Sequence, residues 1–136
     1  MYYETILQTD DAHESSLEGY VCDREDENWR YFLEKCGHGK HFIQQVEQVF
    51  QKKGISRVAV FSSLYVEEEY RNQGIGTALM EDAINAASDC LADVILLESD
   101  IGSDNRFDLT KWYEENFDFE RLDFQSDNYP ILVCYL

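Results

Sequence analysis

The sequence predicts an α/β domain: a mixed central sheet flanked by helices on both faces. Three observations carry this. Val58–Val66 and Val94–Leu97 are apolar on both faces apart from Ser62 and Ser63, as expected of strands buried between layers of helix. Between them, Gly74 to about Cys90 places Ile75, Leu79, Ala83, Ala86 and Cys90 along one side of a helix. Strand, helix and strand in that order imply a crossover and a parallel pair. The N-terminal half adds two further apolar stripes at helical spacing. With 136 residues the chain fits a single domain, 1–136.

Taken in order, Tyr2 to Gln8 alternates weakly and is rich in Tyr, Thr and Ile, which predicts a first strand ended by Asp10 and Asp11. Ser16 to Cys22 is open between a short strand and the close of a helix, and residues 10–53 otherwise read as mostly helical. Trp29, Phe32, Leu33 and Cys36 mark a helix stopped by Gly37. Phe42, Ile43, Val46, Val49 and Phe50 mark a second, ended by Lys52, Lys53 and Gly54, since cations and then glycine suit a helix C-terminus. After the strand, helix and strand at the centre, Ile101 to Asn105 is a loop. Leu109, Trp112, Tyr113 and Asn116 share a face of a last helix. Phe117 to Phe119 and Phe124 alternate as a strand, Ser126 to Pro130 turns, and Ile131 to Tyr135 closes the sheet.

Charge narrows the partners. The chain carries 28 acids against 11 bases, a net charge of -17. Residues 1–53 hold 11 acids and 6 bases, residues 54–136 hold 17 and 5, so the second half is the more acidic. Nucleic acid is disfavoured, because phosphate backbones are bound through clustered Lys and Arg. Cationic small molecules or basic peptides are favoured, since an acidic surface steers them inward. No apolar run approaches the ~20 residues of a membrane span. Met1 to Glu4 has neither the basic nor the apolar region of a signal peptide, and Cys22, Cys36, Cys90 and Cys134 form no Cys-x-x-Cys, so a cytoplasmic protein with reduced thiols is expected.

The chemistry gathers at Leu64 to Met80. An apolar strand runs through an acidic turn, Glu67 to Glu69, into Arg71-x-x-Gly74-x-Gly76 and then a helix. Two glycines let the main chain approach an anion closely, and the first turn of the helix aims free N–H groups and the positive end of its dipole at the same point. This is a phosphate cradle. Gly37-His38-Gly39-Lys40 is no second one, because the spaced first glycine and the following Ser or Thr of a P-loop are missing. Cys36, His38 and His41, with or without Cys22, match no zinc spacing, so no metal is expected.

These residues resemble the GNAT superfamily of acyl-CoA-dependent N-acyltransferases. The likeness is strongest over 58–97, where Leu-Tyr-Val, the acidic turn and Tyr70-Arg71-x-x-Gly74-Ile75-Gly76-Thr77-x-Leu79 follow the family's central motif, and it is weaker over 109–117. The resemblance implies a GNAT-like sheet whose parallel central strands splay apart. Main-chain N–H groups of Gln73, Gly74, Ile75, Gly76 and Thr77 would hold the pyrophosphate of acetyl-CoA, with Arg71 and Asn72 lining the turn. Leu64, Tyr65 and Val66 would pair with the pantetheine arm. Tyr113 stands where family members often place the tyrosine that protonates the departing thiolate.

Four departures accompany the resemblance. Asn116 replaces the glycine that commonly precedes the aromatic after the last helix, and is compatible with a left-handed cap. Arg106 replaces an asparagine, with Asn105 one step off. Val60 is apolar where some members carry a glutamate base. The hairpin between the first helices and the central strand is absent or very short. A base is still needed for the attacking amine, and the nearest candidates are Glu98 and Asp100 at the end of the second central strand. The expected function is transfer of an acetyl group from acetyl-CoA to a primary amine of a cationic acceptor: a polyamine, an aminoglycoside-like molecule, or a protein lysine or N-terminus. The alternative is a non-catalytic GNAT-fold module binding coenzyme A or a protein partner. Tyr and Phe in the last two strands leave a homodimer seam open.

Overall fold

In the computed structural model, residues 16–65, 75–99, 109–122 and 130–136 are described. The elements run β1 (Ser16–Asp23), α1 (Asn28–Lys35), α2 (Lys40–Lys52), β2 (Arg57–Tyr65), α3 (Ile75–Asp89), β3 (Val94–Glu98), α4 (Leu109–Phe117), β4 (Glu120–Arg121) and β5 (Ile131–Tyr135). The sheet order is β1-β2-β3-β5-β4. β2 and β3 are parallel, and the other neighbours are antiparallel. The sheet is therefore mixed, with the crossover helix α3 linking its parallel pair.

Strand periodicity sorts the core into two layers. Ala59, Phe61, Ile95, Leu97, Leu132 and Cys134 turn to α3 and α4, where they meet Leu79, Met80, Ala83 and Tyr113. Val58, Val60, Val94, Leu96, Ile131 and Val133 turn to α1 and α2, where they meet Trp29, Leu33, Val46 and Phe50. Trp29 is fully buried, and its indole N–H donates to the Arg24 carbonyl at 2.7 Å, so its one polar atom is satisfied. Arg30 ties α1 to α2 through Glu47 at 2.6 Å.

Three helices end by one device. In α1, His38 N–H donates to Leu33 and Gly37 N–H to Glu34, with Gly37 at φ 92°. In α2, Ile55 N–H donates to Phe50 and Gly54 N–H to Gln51, with Gly54 at φ 70°. Each is a Schellman closure, which needs a left-handed residue just past the helix. In α3 the same pair of bonds joins Ala92 to Ala87 and Leu91 to Ser88, but the left-handed residue is Leu91, at φ 64°.

Several expectations are corrected. Of the two readings open at Ser16 to Cys22 the strand is the one found, and β1 runs antiparallel to β2 from Ser16↔Tyr65 to Asp23↔Arg57. Asn116 is not a left-handed cap but lies inside α4, its side-chain amide donating to the Trp112 carbonyl, and the left-handed residue is Asp118 at φ 59°. Phe117 closes α4 rather than opening a strand, and β4 keeps only Glu120 and Arg121. On α3 the buried side runs through Leu79, Met80, Ala83 and Ala87, while Ala86 is only half-buried. The chain passes from α2 to β2 through residues 53–56 with no strand between, as the missing hairpin implies. The expected strand Tyr2 to Gln8, the loop Ile101 to Asn105, and Phe124 lie outside the described residues.

Candidate active site

The site grows from an irregularity in β2. Glu18 pairs with Ser63 and Gly19 with Phe61, so the register skips Ser62, whose hydroxyl donates to the Glu18 carbonyl at 3.2 Å. A bulge bends the strand that carries it. The partner side is packed tightly: a Cβ on Gly19 would stand 2.6 Å from the Val60 carbonyl oxygen. At the same level the parallel ladder, running from Val58↔Val94, stops at Phe61↔Leu97. β2 continues to Tyr65 on β1 alone, while Glu98 of β3 pairs with Ile131 of β5. The two central strands thus part into a fork, and among the described residues no strand lies against β2 on the β3 side beyond Phe61.

A cavity of about 40 Å³ marks the closed end of the fork. Phe61, Ser62, Leu97 and Glu98 line it from the strands, Tyr113 from α4, with Leu17 and Met80 beneath. It is large enough for a few waters, with polar walls to hold them. Met80 belongs to the second turn of α3, so the start of that helix adjoins the fork. Ile75, Gly76 and Thr77 form its first turn, whose N–H groups have no partner within the helix. Leu64 and Tyr65 are the end of β2. Val66, Arg71, Asn72, Gln73 and Gly74 lie outside the described residues, as do Glu67 to Glu69, Asp100, Asn105 and Arg106.

Tyr113 and Glu98 reach the fork from opposite faces of the sheet. The Tyr113 ring is buried on the α3 and α4 side, its centroid 5.1 Å from Trp112 and 5.8 Å from Phe119, which fixes its position. Glu98 follows Val94 and Leu96 in the strand alternation and so faces α1 and α2. There it accepts the Cys36 thiol; burial first, then the Glu98 charge, push Cys36 up to about 12. His38 stands in the same field. Burial lowers its pKa below the usual imidazole value, against the opposing pull of Glu98. Its ring stacks on Phe42 at 4.1 Å, and its Nε2 is buried with no hydrogen-bond partner among the described residues.

Two side chains the sequence offers as candidates, Tyr113 and Glu98, both line the fork cavity, whereas Cys36 and His38 enter the sequence reading only as part of a helix stripe, a rejected P-loop and rejected metal ligands. Their tie to Glu98 spans some sixty residues. The one available signal was Gly37, whose left-handed turn sends the chain after α1 back over the end of β3.

A mixed sheet whose parallel centre forks beside a helix start defines an acyl-transfer domain of the GNAT type. A family model described as an acetyltransferase (GNAT) domain matches residues 12–121, and the chain belongs to that family. Among solved structures, it is similar to a mosquito arylalkylamine N-acetyltransferase-like protein 5b at 11% identity and TM-score 0.61, covering 96% of this chain and 73% of that one. It is also similar to the polyamine N-acetyltransferase of Drosophila melanogaster, an enzyme that forms N-acetylagmatine, at 10% identity and TM-score 0.57, covering 90% and 69%. Arylalkylamine N-acetyltransferase 2 of Aedes aegypti gives 10% identity and TM-score 0.57, covering 89% and 67%. At such identities the likeness is one of fold. A search of curated protein sequences found no match. No helix among the described residues is long and apolar enough to cross a membrane.

Proposed function

We propose that the chain is an acetyl-CoA-dependent N-acetyltransferase that moves the acetyl group directly to a primary amine of a cationic acceptor. The observation that carries this is the fork, where β2 loses β3 as a partner between Tyr113 and Glu98. An extended pantetheine arm would pair with the backbone of Leu64, Tyr65 and Val66. The pyrophosphate then falls to the N–H groups of Gln73, Gly74, Ile75, Gly76 and Thr77, with Arg71 and Asn72 beside them.

The chemistry follows from that placement. The amine nitrogen attacks the thioester carbon, and main-chain N–H groups aimed at the carbonyl oxygen stabilise the oxyanion as it forms. The carbon–sulfur bond breaks, the Tyr113 hydroxyl gives its proton to the departing thiolate, and the extra proton lost by the amide nitrogen returns through solvent to restore the Tyr113 hydroxyl. A net charge of -17 draws cations toward the site, which favours a polyamine, an aminoglycoside-like molecule or a protein lysine or N-terminus over a neutral alcohol.

A second reading rests on Val60, fully buried and apolar where a strand glutamate would serve as base: a non-catalytic module that binds coenzyme A or a protein partner. Release of free thiol from acetyl-CoA with a panel of amines separates the two. The transferase reading expects at least one amine to accelerate release well above the amine-free rate. Tight acetyl-CoA binding with no acceleration by any amine leaves the binding module.

A further inference from the structure

Past Glu98 the strand alternation turns the next side chain, Ser99, to the other side of the sheet, where it follows Ile95 and Leu97 toward α4. Its hydroxyl meets that of Thr110, in the first turn of α4, at 2.7 Å, so the two oxygens share a hydrogen bond. Ser99 is fully buried and Thr110 is 3% exposed. Among the described residues no other Ser, Thr, amide or charged side chain is buried so deeply. Two apolar side chains of similar shape would fill the same space at little loss of stability, because replacing both partners of a buried hydrogen bond together is nearly neutral. What an apolar contact lacks is direction. A hydrogen bond holds its atoms at a set distance and angle, and so fixes how α4 is slid and turned on the end of β3.

Both partners adjoin the fork. Ser99 directly follows Glu98, and its own N–H donates to the Pro130 carbonyl at 2.9 Å, which keeps the strand end in place. Thr110 precedes Tyr113 by about one helical turn, so the two share a face of α4. Glu98 and Tyr113 both line the fork cavity. At the far end of α4 the Cys134 thiol donates to the Phe117 carbonyl at 3.5 Å. Tyr113 therefore sits between two polar ties that fasten its helix to the sheet, and the shorter of them is made to the strand that carries Glu98.

We propose that Ser99 and Thr110 are a positioning pair for the transfer: their hydrogen bond sets the Tyr113 hydroxyl where it can protonate the departing thiolate. This rests on the transferase reading. Neither hydroxyl touches the substrate. A tyrosine oxygen lies far from its helix axis, so a small rotation of α4 is magnified at that atom, and a misplacement of about 1 Å costs up to about 100-fold in rate. Because Glu98 and Ser99 are consecutive, the same bond fixes the separation between the acid on one face of the sheet and the tyrosine on the other.

The test is a double-mutant cycle read in kcat, with acetyl-CoA and saturating spermidine, agmatine or a lysine peptide as acceptor. Thr110→Val keeps the shape and removes the hydroxyl; the expected loss is about 10-fold in kcat, with KM for the amine and acetyl-CoA affinity unchanged. Thr110→Ser restores the oxygen and brings kcat back to within about twofold of wild type. In a Tyr113→Phe background Thr110→Val costs less than about twofold, because the hydroxyl that the bond places is already gone. An equal loss in both backgrounds, or a Thr110→Val protein with wild-type kcat, overturns the assignment while leaving the transferase intact. Should Thr110→Val fail to fold because it orphans the Ser99 hydroxyl, the double variant Ser99→Ala with Thr110→Val leaves no hydroxyl behind and carries the same comparison. A wild type that binds acetyl-CoA and acetylates none of the acceptors overturns both readings.

Discussion

The two faces of the sheet carry similar amounts of apolar packing but end differently at the fork. Toward α3 and α4, the layer of Phe61, Leu97 and Phe119 ends in a single buried hydroxyl-bearing ring, Tyr113. Toward α1 and α2, the layer of Val60, Leu96 and Trp29 ends in a titratable cluster, Glu98 with Cys36 and His38. In the proposed reaction the first face supplies the proton for the leaving group, from the Tyr113 hydroxyl. Strand alternation turns Glu98 to the α1 and α2 side, while Tyr113 comes from α4 on the other, so the two approach one gap from opposite faces.

The largest expected effect breaks one face alone. Trp29→Ala removes the fully buried indole under α1 and should lower stability by about 3–5 kcal/mol, read from urea unfolding. Tyr113→Phe acts on the other face and removes only an oxygen. Turnover should fall about 100-fold with acetyl-CoA affinity unchanged, and equal turnover under conditions where chemistry limits the rate would show that Tyr113 only packs. Gly19→Ala tests the seam between the faces. Its Cβ meets the Val60 carbonyl, so a loss of about 1–3 kcal/mol is expected, together with altered activity because the bulge must shift.

Alkaline pH sharpens the contrast further. Cys22 is raised by burial to about 11 and Cys36 to about 12, against 9.0 for an ordinary thiol, and both lie on the α1 and α2 side. The unfolded chain releases these protons first, so their contribution to stability is full below about pH 9 and is lost as pH rises toward about 12. Urea midpoints should fall across that window, and less steeply in Cys36→Ala. The smallest effect is a gain. Leu91 is 70% exposed and left-handed, so Leu91→Gly relieves a strained backbone and should raise stability by up to about 1 kcal/mol in the same assay.

How much of this could be read in advance depends on the range over which each feature is encoded. β2, α3 and β3 were legible because a strand buried on both sides is continuously apolar and a helix between layers is periodic. Gly37 and Gly54 announced two helix ends, whereas Leu91 performs the same task without a glycine to mark it. Ser-Leu-Glu-Gly carries weak alternation, so the sequence alone does not choose between strand and helix there, and eight pairings with β2 make it β1. Asn116 misled because the cap falls two residues later, on Asp118. Tyr113 follows from the resemblance and Glu98 from its position at the end of the second central strand, but the neighbours of Glu98 come from a connection far back in the chain, and no local pattern announces a contact of that range.

The bulge at Ser62 divides β2 into two stretches with different protection against amide hydrogen exchange. From Val58 to Phe61 the strand is bonded on both edges, whereas residues 63–65 pair with β1 alone among the described residues. Along a strand, successive N–H groups point to alternate edges, so every second amide beyond the bulge faces the gap. A cofactor that completes the missing edge would slow exchange at those alternate positions and leave their neighbours unchanged. The strand is therefore a built-in recorder of occupancy, legible one amide at a time.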